Sequence, residues 1–166
     1  MTANAPLDLA AADRMWQEYL AAHPESVAVP GQPDKPSVER FGDSAELTDA
    51  LLALVLNGTK TATSALVAEY RSEAQPLPRV GSHWIACDSA GRPRAVLRSV
   101  ELRVGPMSSA DEAFAHDEGE DDRSLASWRV EHERYWRRAC DRLGIEWSDE
   151  LEVVFERFAV VWPCEA

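Results

Sequence analysis

Leu9, Ala12, Trp16, Tyr19 and Leu20 recur at the three- and four-residue spacing of a helix, and His23-Pro24 ends the pattern. Residues 24–40 then carry Pro24, Pro30, Pro33 and Pro36 with Gly31, the composition of an irregular connector. Leu47, Leu51, Leu54 and Val55, with Ala50 in the same band, predict a second helix. Asp43 followed at the third position by Glu46 reads as its capping box, Phe41-Gly42 leads into it, and Asn57-Gly58 supplies a left-handed stop.

Residues 65–73 fit a further helix, closed by Gln75-Pro76-Leu77-Pro78. Trp84-Ile85-Ala86-Cys87 and the run from Ala95 to Val104 read as strands joined by a hairpin over residues 88–93, and Pro106 ends the second. Residues 108–115 suggest a short helix running into an acidic loop, His116 to Asp122. The next helix places Leu125, Trp128, His132, Tyr135, Trp136 and Ala139 on one face, with Ser124 as N-cap and Gly144 as stop. Residues 152–162 form a closing strand. Strands interspersed with helices, without regular βαβ alternation, predict an α+β domain. The division expected is an N-terminal helix and Pro-rich connector over 1–38, and the domain itself over 39–166.

At 166 residues the chain has the length of one well-cored domain. A formal net charge of −12 changes the picture more than length does, because the mean field repels phosphate and disfavours non-specific binding to nucleic acid or anionic membrane. A local basic pocket would still admit RNA. Cys87, Cys140 and Cys164 are far apart and odd in number, which supports neither a disulfide framework nor a zinc site. No apolar run approaches membrane-spanning length and no leader pattern opens the chain, so the expectation is a reduced, cytoplasmic protein with no membrane and no protein partner.

Three groups of residues carry candidate chemistry. Gly58-Thr59-Lys60-Thr61-Ala62-Thr63-Ser64 places a cation and several hydroxyls on a turn at a helix exit, a setting for an anionic or carbonyl-bearing ligand. The same spacing suits a plain helix exit, with Lys60 set against the helix dipole. Asp117, Glu118, Glu120, Asp121 and Asp122 are read either as a solvated loop before a helix or as the source of one inward-facing general acid or base. Asp117 and Glu120 are the pair a divalent cation would take, though the run lacks the ligand order of a calcium loop. Trp128, Tyr135 and Trp136 read as core rather than as a base-stacking platform, His132 as a core histidine, and His116 as the histidine nearer to chemistry.

Taken together these residues resemble the ASCH-domain family of the PUA-like superfamily. The resemblance rests on Phe41-Gly42-Asp43-Ser44, on Gly58-Thr59-Lys60-Thr61-Ala62-Thr63, which matches the family's G-x-K-x-x-T, and on Pro78-Arg79-Val80-Gly81. It continues through Phe114 to Glu120, Asp122 to Arg129 and the closing strand, and so covers residues 39–162. It implies a small β-barrel decorated by helices, with a site beside the Gly58–Thr63 turn. Two hydrolytic activities are associated with the family. One is cleavage of single-stranded RNA, helped by a divalent cation such as Mn or Mg, and it stands slightly ahead on the long-form architecture. The other is deacylation of N4-acetylcytidine, for which the matching positions are Lys60, Thr63 and Glu118. By that analogy Thr63 attacks, Lys60 activates it and Glu118 moves the proton, with Asp117 and Glu120 competing for the last role. Gly58, Thr59, Thr61, Ser64 and Ser124 are the substrate-binding positions expected, Ser124 being equally an N-cap. A non-catalytic reader of RNA or of a modified nucleotide is the third reading.

Overall fold

The alternation of buried side chains along the strands sorts the helices onto the two faces of one sheet. In the computed structural model, which describes residues 2–26 and 35–163, the elements run α1 (Leu9–Ala22), β1 (Ser37–Glu39), α2 (Ala45–Leu56), β2 (Ala62–Leu66), α3 (Val67–Ser72), β3 (His83–Cys87), β4 (Pro93–Pro106), α4 (Glu112–Glu118), α5 (Leu125–Leu143) and β5 (Glu152–Trp162). Pro30, Gly31, Pro33 and Cys164 lie outside the described residues. The strands form one sheet in the order β1-β3-β4-β5-β2, with β1 parallel to β3 and the other pairs antiparallel. The sheet curls into a half-barrel surrounded by five helices, an α+β architecture.

Successive strand residues point to opposite faces. Trp84, Ala86, Ala95 and Leu97 therefore pack with Phe41 and with Leu51, Leu52 and Val55 of α2. Their neighbours Ile85, Cys87 and Val96 pack with Ala12, Trp16 and Tyr19 of α1. At the other end of the sheet Ala62, Leu66, Val153 and Phe155 meet Phe114 of α4 and Trp128, Trp136, Ala139 and Cys140 of α5. By the same alternation β5 serves two of these clusters, with Phe155 in one and Phe158 in another, and the β4–β5 register shifts at Val96/Leu97 and Ser99/Glu101.

The structure departs from the sequence expectations in five places. The N-cap of α2 is Ser44, whose hydroxyl accepts from the Leu47 N–H at 3.3 Å, while Asp43 pairs with Arg138 instead. Ala50 is exposed, and Thr48 and Leu52 are buried in its stead. The connector contains the short strand β1. Residues 62–66 form a strand, so the helix expected over 65–73 begins only at Val67: Ala65 and Leu66 pair with Val154 and Val153 of β5, and tertiary pairing overrides local propensity there. His116, Asp117 and Glu118 belong to the last turn of α4 rather than to a loop, which ends at Gly119 in the left-handed region.

The segment before α1 is fixed to the β3–β4 hairpin by hydrogen bonds from Ala5 N–H to Ser89 O and from Asp8 N–H to Gly91 O, both 2.8 Å. Gly91 has φ +81°, and a Cβ on it would lie 1.9 Å from the Pro6 carbonyl oxygen. Gly91→Ala should therefore lower unfolding free energy by at least about 1 kcal/mol in urea titration, through the unfavourable φ and the clash together. Ser89→Ala, which leaves the backbone free to keep both bonds, should cost less.

Candidate active site

The helix exit at α2 is built by backbone hydrogen bonds. Gly58, at φ +79°, turns the chain so that the Thr59 and Lys60 N–H groups both donate to Leu54 O at 2.9 Å. Thr59 N–H also donates to Asn57 Oδ1 at 2.9 Å. The end of α4 comes against this turn: Thr61 N–H donates to Asp117 O at 2.8 Å, and a Cβ on Gly119 would stand 2.6 Å from Thr59 O. Only a glycine at 119 permits that approach, and the approach closes the Lys60 side chain inside the protein.

Lys60 is 1% exposed. Its ammonium donates to Glu118 Oε2 at 2.7 Å, to Glu120 Oε1 at 2.6 Å and to Glu118 O at 3.3 Å, which uses its three protons. Glu118, also 1% exposed, accepts on its other oxygen from Ser64 Oγ at 2.6 Å and Trp128 Nε1 at 3.0 Å, with His132 Nε2 at 3.3 Å. His132 stacks on Trp128 at 4.3 Å between ring centroids, and its Nδ1 lies 2.9 Å from Trp128 O. With an acceptor at each ring nitrogen the imidazolium is the form that satisfies both contacts.

These contacts fix the protonation states. Burial opposes the charge on Lys60, but Glu118 and Glu120 outweigh it and hold the ammonium above its ordinary pKa. Burial likewise pushes Glu118 up, and Lys60 and His132 more than reverse this, so its carboxyl stays well below the usual range. His132 is raised: its burial works against the charge and Glu118 prevails. Two cations and two carboxylates thus form a neutral, closed group.

Beside this group opens a cleft of about 980 Å³, lined among others by Lys60, Thr63, Ser64, Glu118, Glu120, His132, Tyr70, Trp84, Phe41 and Glu156. The Thr63 hydroxyl has no hydrogen-bond partner among the described residues. Directly opposite Thr63 in the β2–β5 ladder stands Glu156, 4% exposed. Its Oε1 accepts from Ser99 Oγ at 2.5 Å and Trp84 Nε1 at 3.2 Å. Burial raises its pKa to about 7, only partly offset by the two donors, and Glu39 adds to the rise.

Of the residues singled out in the sequence, Lys60, Thr63, Ser64, Glu118 and Glu120 share the cleft lining. Gly58, Thr59, Thr61, Asp117 and Ser124 are not part of that lining. Thr61 Oγ1 donates to Asp117 O at 3.3 Å, Asp117 accepts from Arg157 Nε at 2.8 Å, and Ser124 caps α5 by accepting from Ser127 N–H at 3.1 Å. The two histidines exchange places: His116 is exposed beside Arg123, and His132 is the one in the buried group. Sequence reasoning missed Glu156, although a glutamate inside the apolar run Val153-Val154-Phe155 was a usable signal.

Glu118, Glu120 and His132 each offer a ligand atom, all within 4.8 Å of one another. The Lys60 ammonium already lies against both carboxylates, and His132 is held as a cation. A metal ion there would face two positive charges at contact distance, so the residues present do not fit one. Among the described residues no helix is long and apolar enough to cross a membrane.

The family model for the ASCH domain matches residues 37–162. A crystal structure of a protein from Enterococcus faecalis V583 superposes with a TM-score of 0.79 at 29% identity, over 92% of this chain and 88% of that one. The crystal structure of an ASCH domain from Lactobacillus crispatus JV V101 superposes with a TM-score of 0.78 at 25% identity, over 91% and 94%. No curated protein matches the sequence. The half-barrel with its helices is that of the PUA-like barrel these relatives share.

The closed group predicts a coupled mutational response. Lys60→Met strands two carboxylates and should cost about 3–5 kcal/mol in urea unfolding at pH 7. Adding Glu118→Gln to Lys60→Met removes one stranded charge, so the double variant should recover part of that loss.

Proposed function

The chain belongs to the ASCH domain family, and on that premise we propose that it is an amidohydrolase acting on a small uncharged nucleoside acylated at an exocyclic amine, with N4-acetylcytidine as the type substrate. The observation that carries this reading is the charge of the cleft. Its lining holds nine carboxylate side chains against five lysines and arginines among the described residues. Lys60 is neutralised by Glu118 and Glu120, Arg138 and Arg142 pair with Asp43, and Lys35 pairs with Asp13. ASCH domains are generally RNA-binding, but a polyphosphate chain entering this cleft meets repulsion rather than a basic track. A neutral nucleoside meets Trp84, Phe41 and Tyr70 and several polar groups, the mixture that small-molecule sites use.

In this reading the acyl carbon is attacked by Thr63 Oγ, a hydroxyl of the cleft placed in the ladder opposite the Glu156 carboxyl. Collapse of the tetrahedral intermediate breaks the carbon–nitrogen bond and leaves the acyl group on Thr63 as an ester, which water then hydrolyses. Lys60 does not serve as the base, because a raised pKa keeps it an ammonium. It acts through its charge. Of its two carboxylate partners Glu120 is the more exposed, with 24% of its side chain open. Glu120 is therefore the partner that a substrate carbonyl oxygen displaces to reach the Lys60 N–H as negative charge develops.

Purified protein should release acetate from N4-acetylcytidine, with or without EDTA. Thr63→Ala, with its circular dichroism unchanged, should lose at least about 10³-fold of that rate. Labelled single-stranded RNA should stay intact. RNA cleavage abolished by Thr63→Ala, together with no acetate release from the nucleoside, would contradict the proposal.

A further inference from the structure

Two carboxylates face the cleft near Thr63, and they differ in what their oxygens are free to do. Both oxygens of Glu118 are taken: Oε2 by Lys60, and Oε1 by Ser64, Trp128 and His132. A proton arriving there must displace a charge-assisted hydrogen bond from a buried cation. Glu156 is the reverse. Its Oε1 is anchored by Ser99 and Trp84, and its Oε2 has no partner among the described residues.

The ladder puts Glu156 beside Thr63. Thr63 and Glu156 are directly opposed residues of antiparallel neighbours. Such pairs project to the same face of the sheet with Cβ atoms about 4.5–5.5 Å apart. Both residues line the cleft, and the Thr63 hydroxyl has no competing acceptor among the described residues. We propose that Glu156, rather than Glu118, is the general base and acid of the reaction, a catalytic residue acting directly on the Thr63 hydroxyl. The proposal rests on the amidohydrolase reading for its substrate, but not for the Thr63–Glu156 pair itself.

The protons balance through both halves. As the bond from Thr63 Oγ to the acyl carbon forms, Glu156 Oε2 takes the hydroxyl proton. As the carbon–nitrogen bond breaks, the same proton passes to the departing amine nitrogen, and cytidine leaves. Glu156, again a carboxylate, removes a proton from the water that attacks the acyl–Thr63 ester. When the ester carbon–oxygen bond breaks, that proton returns to Thr63 Oγ, and the acyl group leaves as acetic acid. Lys60, Glu118 and His132 keep their protonation states throughout.

The setting suits this work. Burial raises Glu156 to about 7, so both of its forms are populated near neutrality. The titratable groups that face it are Glu39 from β1 and Tyr70 from α3; Glu39 is itself raised by burial, and neither carries a cation that would hold Glu156 ionised. The Trp84 and Ser99 donors come from β3 and β4, so the carboxyl is fixed from strands rather than from a loop.

Glu156→Gln is nearly isosteric and keeps an oxygen for Ser99 and Trp84. With N4-acetylcytidine, wild-type kcat/KM should fall about tenfold per pH unit below an apparent pKa near 7, and Glu156→Gln should lose about 10²–10⁴-fold of kcat with that limb abolished and KM little changed. Glu156→Asp should recover part of the rate. A second readout separates this proposal from the substrate assignment: acetylation of Thr63 by p-nitrophenyl acetate, followed by intact mass and peptide mapping. Thr63 acetylation in the wild type that Glu156→Gln slows at least about 100-fold supports the pair even where the nucleoside is not hydrolysed, in which case the substrate reading alone fails. Activity of Glu156→Gln within about threefold of wild type with the acid limb retained, or a wild-type Thr63 that p-nitrophenyl acetate never modifies, would overturn the proposal.

Discussion

The Lys60 ammonium, buried between Glu118 and Glu120, is the interaction on which the rest of the site depends. A lysine 1% exposed is tolerable only where opposite charge and hydrogen bonds replace its water, and here three acceptors take its three protons. Supplying those acceptors requires the C-terminal end of α4 to lie on the turn after α2. That contact in turn requires Gly119, whose missing side chain lets it meet Thr59, and the hydrogen bond from Thr61 to Asp117. The G-x-K-x-x-T turn and the His-Asp-Glu-Gly-Glu segment are thus two halves of one device, joined by the Lys60 ion pairs to Glu118, 58 residues away in sequence, and to Glu120.

The same pair divides the labour of the cleft. Lys60, Glu118 and His132 satisfy one another: the carboxylate holds both cations above their ordinary pKa, and the cations hold Glu118 well below the usual carboxylate range. They supply a fixed field, as preorganised electrostatic groups do. In the proposed reaction, proton movement falls to the carboxyl that lacks a cation, Glu156, across the ladder from Thr63. The proposed pair on adjacent strands and a charged cluster made of helix ends then meet at β2, which contributes Thr63 to one and Ser64 to the other.

Much of this was legible in the residues. The stripe on α5, the strands from Trp84 to Val104 and from Glu152 to Trp162, and the stops at Gly58 and Gly144 follow from periodicity and from glycine's access to positive φ. Lys60, Thr63 and Glu118 stood out by chemistry and by resemblance, and they do share one cleft. What local pattern could not carry was pairing across distance. Ala65 and Leu66 read as helical until β5 is beside them, Asp43 looks like a cap until Arg138 is beside it, and His132 looks like core until Glu118 reaches it. Glu156 is marked in the sequence only by following the apolar run Val153-Val154-Phe155; its role comes from the residue opposite.

The central claim is that one buried carboxyl in this cleft is free to exchange its proton near neutrality while the other is locked as an anion. Side-chain carboxyl carbon-13 chemical shifts of glutamate, assigned with Glu118→Gln and Glu156→Gln and followed from pH 4 to pH 9, test it directly. The account predicts that Glu156 titrates with a midpoint near 7 and that Glu118 stays ionised across the whole range. A Glu156 signal already ionised at pH 5, or a Glu118 signal that titrates near neutrality, would contradict it.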